Sequence, residues 1–232
     1  MDPTLFAGTC WLLWKGRNKY VFEKEMHAPE VIRKRVANLV HRIGLASPER
    51  ILGTEATPRR HVKEIRWEQP PQRWAALNSD GSVTNGQAAA GGVVRDEQGR
   101  LMRAYSMKLG EVSITRAELE GIVKGLKVAW DEGIRRLIVQ TDSQTAIKLI
   151  REAEIRHPHF LLVQEARRLL ALEWQVQLTH VYREANFVAD YLASAGHKLQ
   201  QGLHFVDEPD PLLNYWLLYD LIGVETSRLV VS

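Results

Sequence analysis

The segment RLIVQTDS at residues 136–143 is a short apolar run that ends in an aspartate and a serine. Its β-branched and apolar residues are typical of a strand that is buried inside a sheet. A long helix is predicted directly before it, from about Ser113 to Asp131, and Gly133 closes that helix. A buried strand that follows a long helix indicates an α/β protein.

The chain on both sides of this segment completes the order of elements. Towards the N-terminus we predict three antiparallel strands, at about 74–78, 91–95 and 101–109, with the turn DEQG at 96–99 between the last two. Towards the C-terminus we predict helices at about 143–152 and 158–172, a strand at 174–182 and a helix at 184–198. The order βββαβααβα predicts a five-stranded mixed sheet flanked by helices.

Three further segments flank this predicted domain, which spans residues 73–198. Apolar residues at helical spacing predict a helical hairpin within residues 1–46. Residues 47–72 contain several prolines and are interpreted as a linker. Residues 199–232 form a C-terminal tail, in which an irregular stretch precedes a short helix at 212–222.

Charge is distributed unevenly along the chain. The formal net charge is +3, but residues 1–72 hold 13 Lys and Arg against 8 Asp and Glu, which leaves 18 against 20 for residues 73–232. A basic arm beside a neutral domain can bind phosphates, and a solvated helix face is the alternative interpretation.

Two absences narrow the class of protein. The single Cys10 cannot form an internal disulfide or a multi-cysteine zinc site, which fits a reducing intracellular compartment, nuclear or cytoplasmic. The apolar stretch at 212–221 is interrupted by Asn214 and Asp220 and is too short to cross a bilayer. We therefore expect a soluble protein without a membrane partner.

Four acidic residues occupy positions that are poor for an isolated charge. Asp80 ends the first predicted strand, Asp142 ends the most apolar strand, and Glu118 shares a helical stripe with the residues that should pack on the sheet. Asp190 lies among apolar residues of the last helix of the domain. Each of the four alone could equally be a helix cap or a solvated acid, and for Asp142, which precedes Ser143 and a helix, capping stays an open alternative.

Burying these carboxylates requires a compensating charge, because a buried unpaired ion costs several kcal/mol. No lysine or arginine is obviously assigned to them by the sequence. Clustered carboxylate oxygens suit Mg²⁺, or Mn²⁺, better than zinc. Two such ions about 3.5–4 Å apart can catalyse hydrolysis of a phosphodiester.

The chain from Trp74 to Ala195 resembles ribonuclease H type 1, and most closely its reverse-transcriptase-associated, plant-retroelement-like branch. The matching stretches are NSDGS, ITRAELEG, VQTDS and HVYREANFVAD, and each contributes one carboxylate in the family's order. The resemblance implies that Asp80 bridges two metal ions, that Glu118 and Asp142 complete one site and that Asp190 completes the other. It also implies cleavage of the RNA strand of an RNA–DNA hybrid, which leaves a 5′-phosphate and a 3′-hydroxyl.

Three more residues enter through the same resemblance. The family has a histidine ten residues before its last aspartate, matched by His180, which would move a proton or help to release product, although a structural histidine is the alternative. Its asparagine four residues before that aspartate is matched by Asn186, which we expect to bind substrate. Asn85 is a candidate for a substrate contact, with a role in a turn as the alternative.

The sequence also departs from the family pattern. Ile114 and Thr115 stand where well-studied members have two amide side chains that sense the 2′-hydroxyls of RNA. The interval from Asp142 to Asp190 contains too little basic character for the basic helix and loop of bacterial members. Relaxed selectivity for hybrid is therefore expected.

Three functions remain open at this level. The first is an active hybrid nuclease, and the second is a nucleic-acid-binding module of the same fold that does not cut. The third is a protein-interaction domain that uses the N-terminal helices or the tail. A serine hydrolase or a kinase is disfavoured, because the chain has neither a Gly-x-Ser-x-Gly elbow nor a glycine-rich phosphate loop.

Overall fold

The computed structural model describes residues 60–231, so the predicted helical hairpin at 1–46 lies outside the described residues. The strands in this range are β1 (Arg60–Ile65), β2 (Ala75–Thr84), β3 (Gln87–Arg95), β4 (Leu101–Gly110), β5 (Arg136–Thr141), β6 (Gln175–His180), β7 (Gly202–Phe205) and β8 (Thr226–Val231). The helices are α1 (Ile114–Asp131), α2 (Gln144–Glu152), α3 (Phe160–Leu170), α4 (Phe187–Gly196) and α5 (Pro211–Leu221).

The main sheet is mixed and has the strand order β6-β5-β2-β3-β4-β7. The four strands β2, β3, β4 and β7 are antiparallel neighbours, whereas β5 runs parallel to β2 and β6 runs parallel to β5. The predicted α/β class and mixed sheet are therefore confirmed. Because β2, β5 and β6 run parallel, the carboxyl ends of β5 and β6 lie beside the middle of β2, which continues to Thr84.

Helices cover both faces of this sheet. Val94 packs in the cluster that includes the buried residues of α1, whereas its neighbour Val93 packs with Val188 and Leu192 of α4. Because successive strand residues point to opposite faces, α1 and α4 lie on opposite sides of the sheet. Leu213 of α5 joins the α4 side, so the tail helix is part of the core.

The strand count and the two flanks differ from the sequence prediction. The predicted five-stranded sheet is wrong by one strand, because β7 pairs with β4 at the sheet edge. Its four residues, two exposed and two half-buried, show no alternation of polar and apolar side chains, which explains why the pattern did not predict it. Residues 60–65, within the predicted irregular linker, form β1, and β1 pairs with β8 of the predicted tail. The short helix predicted at 212–222 is confirmed as α5.

The turn between β2 and β3 confirms the alternative interpretation of Asn85 as a turn residue, and it makes both strands longer than predicted. Asn85 and Gly86 have φ angles of 51° and 77°, and they connect Thr84 to its partner Gln87. Two central residues with positive φ define a two-residue hairpin turn of the Asn-Gly kind. The Asn-Gly pair is the sequence signal that indicates strands extending up to this turn.

No helix within residues 60–231 has both the length and the apolar character required to cross a membrane.

Candidate metal centre

The four candidate carboxylates come from two strands and two helices. Asp80 lies on β2, and Asp142 follows the last residue of β5, the parallel neighbour of β2. Glu118 lies in the N-terminal half of α1, and Asp190 lies in the first turn of α4. Two adjacent strands inside the sheet therefore supply two carboxylates, and one helix from each face supplies another.

Three of these side chains converge. One carboxylate oxygen each from Asp80, Glu118 and Asp142 lies within 4.8 Å of the others. Asp80 and Glu118 are buried and Asp142 is half-buried. Three acids at this separation repel one another unless protons or a cation neutralise them.

The repulsion is visible in the acidities of the buried pair. Burial, followed by the charges of Glu118, Asp142 and Asp190, raises the pKa of Asp80 to about 9. Burial, followed by the charge of Asp142, raises the pKa of Glu118 to about 8, although the Gly81 N–H and the Arg183 guanidinium act in the opposite direction. Without a cation, this site retains protons at neutral pH.

The unpaired oxygens of the triad match the requirements of a divalent cation. Glu118 Oε2 and Asp142 Oδ1 are buried and have no hydrogen-bond partner among residues 60–231. Buried polar atoms normally have a partner, and an unsatisfied one points to a bound ion or water. A cluster made only of carboxylate oxygens suits a hard cation. The residues present therefore fit a divalent metal.

Capping of α2 does not involve the Asp142 side chain. The N-cap of α2 is Ser143, whose hydroxyl accepts a hydrogen bond from the Ala146 N–H at 3.2 Å. The alternative interpretation of Asp142 as the cap is therefore wrong, and its carboxylate is available to bind a metal together with Asp80 and Glu118.

Asp190 is not part of the triad. Its carboxylate accepts a hydrogen bond from the Arg183 guanidinium and forms a salt bridge with it. The expectation that no basic side chain serves the four acids is therefore wrong for Asp190. Sequence spacing alone did not reveal this pair, because the short 3-10 turn of Arg183–Ala185 interrupts the predicted helix at 184–198 and brings the two side chains together.

The other predicted site residues have different environments. His180 ends β6 opposite Thr141, and it lines one cleft with Asp142 and Arg183.

Asn186 is fully buried, donates to the Ser79 carbonyl oxygen and accepts from Asn78 Nδ2, so its amide is used inside the protein. Asn85 lies at the exposed hairpin tip, five residues beyond Asp80, or roughly 16 Å along the strand. The structure therefore places His180 at the site, leaves Asn85 away from it, and buries Asn186 behind it with its amide already hydrogen-bonded.

Gly81 allows β2 to approach α1 closely enough for the triad to form. A Cβ atom on Gly81 would lie 2.6 Å from the Glu118 nitrogen and 2.9 Å from the Ala117 carbonyl carbon. Both are backbone atoms, so relief requires the strand and the helix to separate. We therefore expect Gly81→Ala to lower the free energy of unfolding by about 1–3 kcal/mol, as overpacking does, and to weaken metal binding. Thermal unfolding with and without Mg²⁺ measures both effects.

Val83→Ala is the matched control, because Val83 lies on the same strand with its side chain 41% exposed. If Gly81→Ala unfolds like the control and keeps the metal response of the wild type, the close approach is not required by the site.

Comparison with known proteins assigns the family. Residues 78–196, slightly more than half of the chain, match the family model described as "Reverse transcriptase-like". A protein of Arabidopsis thaliana named "Putative ribonuclease H protein" is 31% identical over 98% of this chain, and the chain spans 37% of that protein's length. The chain belongs to the reverse transcriptase-like family and carries a ribonuclease H domain of the plant retroelement type.

Solved structures agree with this assignment. RNase H1 from the archaeon Halobacterium salinarum is 26% identical, covers 54% of this chain and 98% of its own, and superposes with a TM-score of 0.51. The N-terminal RNase H domain of a Mycobacterium tuberculosis protein is 24% identical, covers 54% and 94%, and has a TM-score of 0.51, which shows a shared fold.

Proposed function

We propose that this protein is a metal-dependent endonuclease that hydrolyses the RNA strand of RNA–DNA hybrids. The observation that carries the proposal is the convergence of Asp80, Glu118 and Asp142 within 4.8 Å, with two buried oxygens that lack a partner among residues 60–231. Membership of the reverse transcriptase-like family and the likeness to an archaeal RNase H1 support the same activity. The ion would be Mg²⁺ or Mn²⁺, in keeping with an all-oxygen ligand set.

The residues of the triad would hold the metal. His180 would transfer protons near it, and Arg183 would neutralise negative charge. When bound, divalent cations supply Lewis acidity for hydrolysis of a phosphodiester and neutralise the carboxylates. Asp80, Glu118 and Asp142 would bind them, and their protons would be released as they do so, since metal ligands must be deprotonated. His180, at the mouth of the cleft, would exchange a proton with solvent or product.

Asp190, the fourth candidate carboxylate, has two possible partners, which are Arg183 and a second metal ion. Arg183 pairs with Oδ1 of Asp190, so a second ion would bind the other carboxylate oxygen of Asp190 or compete with the guanidinium for Oδ1. The same pair favours one second candidate, a module that binds nucleic acid but does not cut because its fourth ligand stays occupied.

One assay distinguishes the two candidates. Purified protein is incubated with labelled RNA–DNA hybrid, double-stranded RNA and double-stranded DNA, each with Mg²⁺, Mn²⁺ or chelator. We expect cleavage of the RNA strand of the hybrid that chelator abolishes. Binding of hybrid without cleavage in either metal would favour the non-cutting module. A partner protein for the flanking segments and the intracellular compartment stay predictions.

Selectivity for hybrid is expected to be relaxed. Ile114 is 47% exposed at the start of α1, four residues before Glu118, and Thr115 beside it is half-buried. Neither side chain offers the amide contacts to RNA hydroxyls that the resemblance to the family implies. The double substitution Ile114→Asn and Thr115→Asn should therefore raise the ratio of hybrid cleavage to double-stranded RNA cleavage. The two rates are measured on the same enzyme preparation, and an unchanged ratio would show that these positions do not face the minor groove.

A further inference from the structure

A buried arginine links the C-terminal helix to the strand that carries Asp80. Arg95 on β3 and Asp220 on α5 form a salt bridge of 2.7 Å, with side chains 1% and 2% exposed. The second terminal nitrogen of Arg95 donates to Asn78 Oδ1 at 2.8 Å. One guanidinium therefore connects α5 directly to β2, two residues before Asp80.

From Asn78 the hydrogen bonds continue to the helix that carries Asp190. Asn78 Nδ2 donates to Asn186 Oδ1, and Asn186 Nδ2 donates to the Ser79 carbonyl oxygen, both at 3.1 Å. The Asn186 carbonyl oxygen in turn accepts from the Asp190 N–H at 3.0 Å. These buried hydrogen bonds of the Asn78 and Asn186 side-chain amides therefore hold the start of α4 on β2.

Trp67 extends the same connection to the strand that precedes Asp142. Its ring lies 3.5 Å from the Arg95 guanidinium carbon, and its Nε1–H donates to Gln140 Oε1 at 2.9 Å. Gln140 is the register partner of Asn78 in the parallel pair of β2 and β5, and it lies two residues before Asp142. A single buried cation is thus tied to the elements that carry three of the four carboxylates.

Stability alone is a weak explanation for this arrangement. A buried ion pair often contributes no more to stability than apolar side chains of the same volume. Arg95 Nε also lacks a hydrogen-bond partner among residues 60–231, which adds an uncompensated cost. What distinguishes the pair is its connection to Asn78, Gln140 and Asn186, each a few residues before a carboxylate.

We propose that Arg95 and Asp220, covered by Trp67, are positioning residues that fix the relative placement of Asp80, Asp142 and Asp190. The inference rests on the proposed function and adds to it that residues outside the predicted 73–198 domain belong to the working nuclease. Trp67 precedes that domain and Asp220 follows it.

The test compares Asp220→Asn with the wild-type full chain. Supporting side chains around metal ligands typically change metal affinity by 10–100-fold when replaced, so we expect Mn²⁺ affinity, measured by calorimetry, to fall about 10-fold. The turnover of hybrid should fall while its KM changes little, because the substrate surface is untouched. Val163→Ala, a buried change on α3 that makes none of these contacts, is the control for lost stability alone.

The double variant Arg95→Met with Asp220→Leu separates positioning from stability. Apolar replacement of a buried pair commonly restores stability, but it leaves Asn78 Oδ1 without its donor. We expect a melting temperature close to that of the wild type together with the weakened Mn²⁺ affinity. Wild-type affinity in this variant, or an Asp220→Asn loss no larger than that of Val163→Ala, would overturn the proposal.

Failure of the proposed function remains distinguishable from failure of this inference. If the wild type binds Mn²⁺ but cuts no hybrid, the nuclease proposal fails and the metal affinities still decide the positioning role. If the wild type binds no metal, the amide NMR signals of Asp80, Asp142 and Asp190 decide it. Displacement of these signals in Asp220→Asn beyond that in Val163→Ala supports positioning, and unmoved signals overturn it.

Discussion

Asp142→Asn is expected to slow cleavage of RNA–DNA hybrid by a factor of at least on the order of 10²–10³, the scale for loss of one transition-state stabiliser. The Asp142 carboxylate belongs to the triad, and its Oδ1 is buried without a partner among residues 60–231. An amide of the same shape cannot supply the negative charge that a divalent cation requires. The fold should persist, because Ser143 and not Asp142 caps α2.

The measurement is the single-turnover rate at saturating Mg²⁺ for both proteins. Glu152→Gln serves as the control, since Glu152 is an exposed acid at the end of α2. A near-normal rate for Asp142→Asn would remove this residue from the site, whereas an equal loss in the control would point to a general effect of charge.

Asp80→Asn is expected to stabilise the metal-free protein while it removes most of the response to Mg²⁺. Burial and the neighbouring acids raise the pKa of Asp80 to about 9, so the folded protein must keep this group protonated or bear its charge unpaired. At about 1.4 kcal/mol per pKa unit, the cost at neutral pH is up to about 4 kcal/mol. Asparagine avoids part of that cost but still buries a polar side chain.

The pH dependence follows from the direction of the shift. Because the pKa of the Asp80 carboxyl is higher in the folded than in the unfolded chain, its destabilising effect is absent below about pH 4 and grows as the pH rises towards 9. In chelator, the melting temperature of Asp80→Asn should therefore exceed that of the wild type by more at pH 8 than at pH 5.

Mg²⁺ should stabilise the wild type and have little effect on Asp80→Asn. With a dissociation constant of about 1 mM, ~10 mM Mg²⁺ would stabilise the wild type by roughly 1.4 kcal/mol. For a chain of this size, that corresponds to a rise of about 3–6 °C in melting temperature. A variant that melts lower than the wild type in chelator and keeps the full Mg²⁺ shift would show that Asp80 is an ordinary structural aspartate.

The pattern of apolar residues along the sequence predicted the helices and strands in which that pattern is strong. The long helix from Ser113, the buried strand before Asp142 and the C-terminal helix all appear near their predicted bounds. Each has either a continuous apolar run or a helical stripe, which is a local property of the chain. β7 and the β1–β8 ribbon lack such a pattern, because short strands at an edge depend on the partner against which they pair.

For the candidate site as well, the sequence predicted some features and the tertiary structure decided the others. The sequence predicted Asp80, Glu118, Asp142 and Asp190, because each occupies a position that is poor for an isolated charge and because together they match the motifs of ribonuclease H type 1 in order. The exclusion of Asn186 from the site surface and the pairing of Asp190 with Arg183 were decided by tertiary structure. Both outcomes depend on distances between residues that are separated along the chain, and no local pattern encodes such distances. The burial of Arg95 against Asp220 is the clearest case, because it arises only when the tail helix folds back onto the sheet.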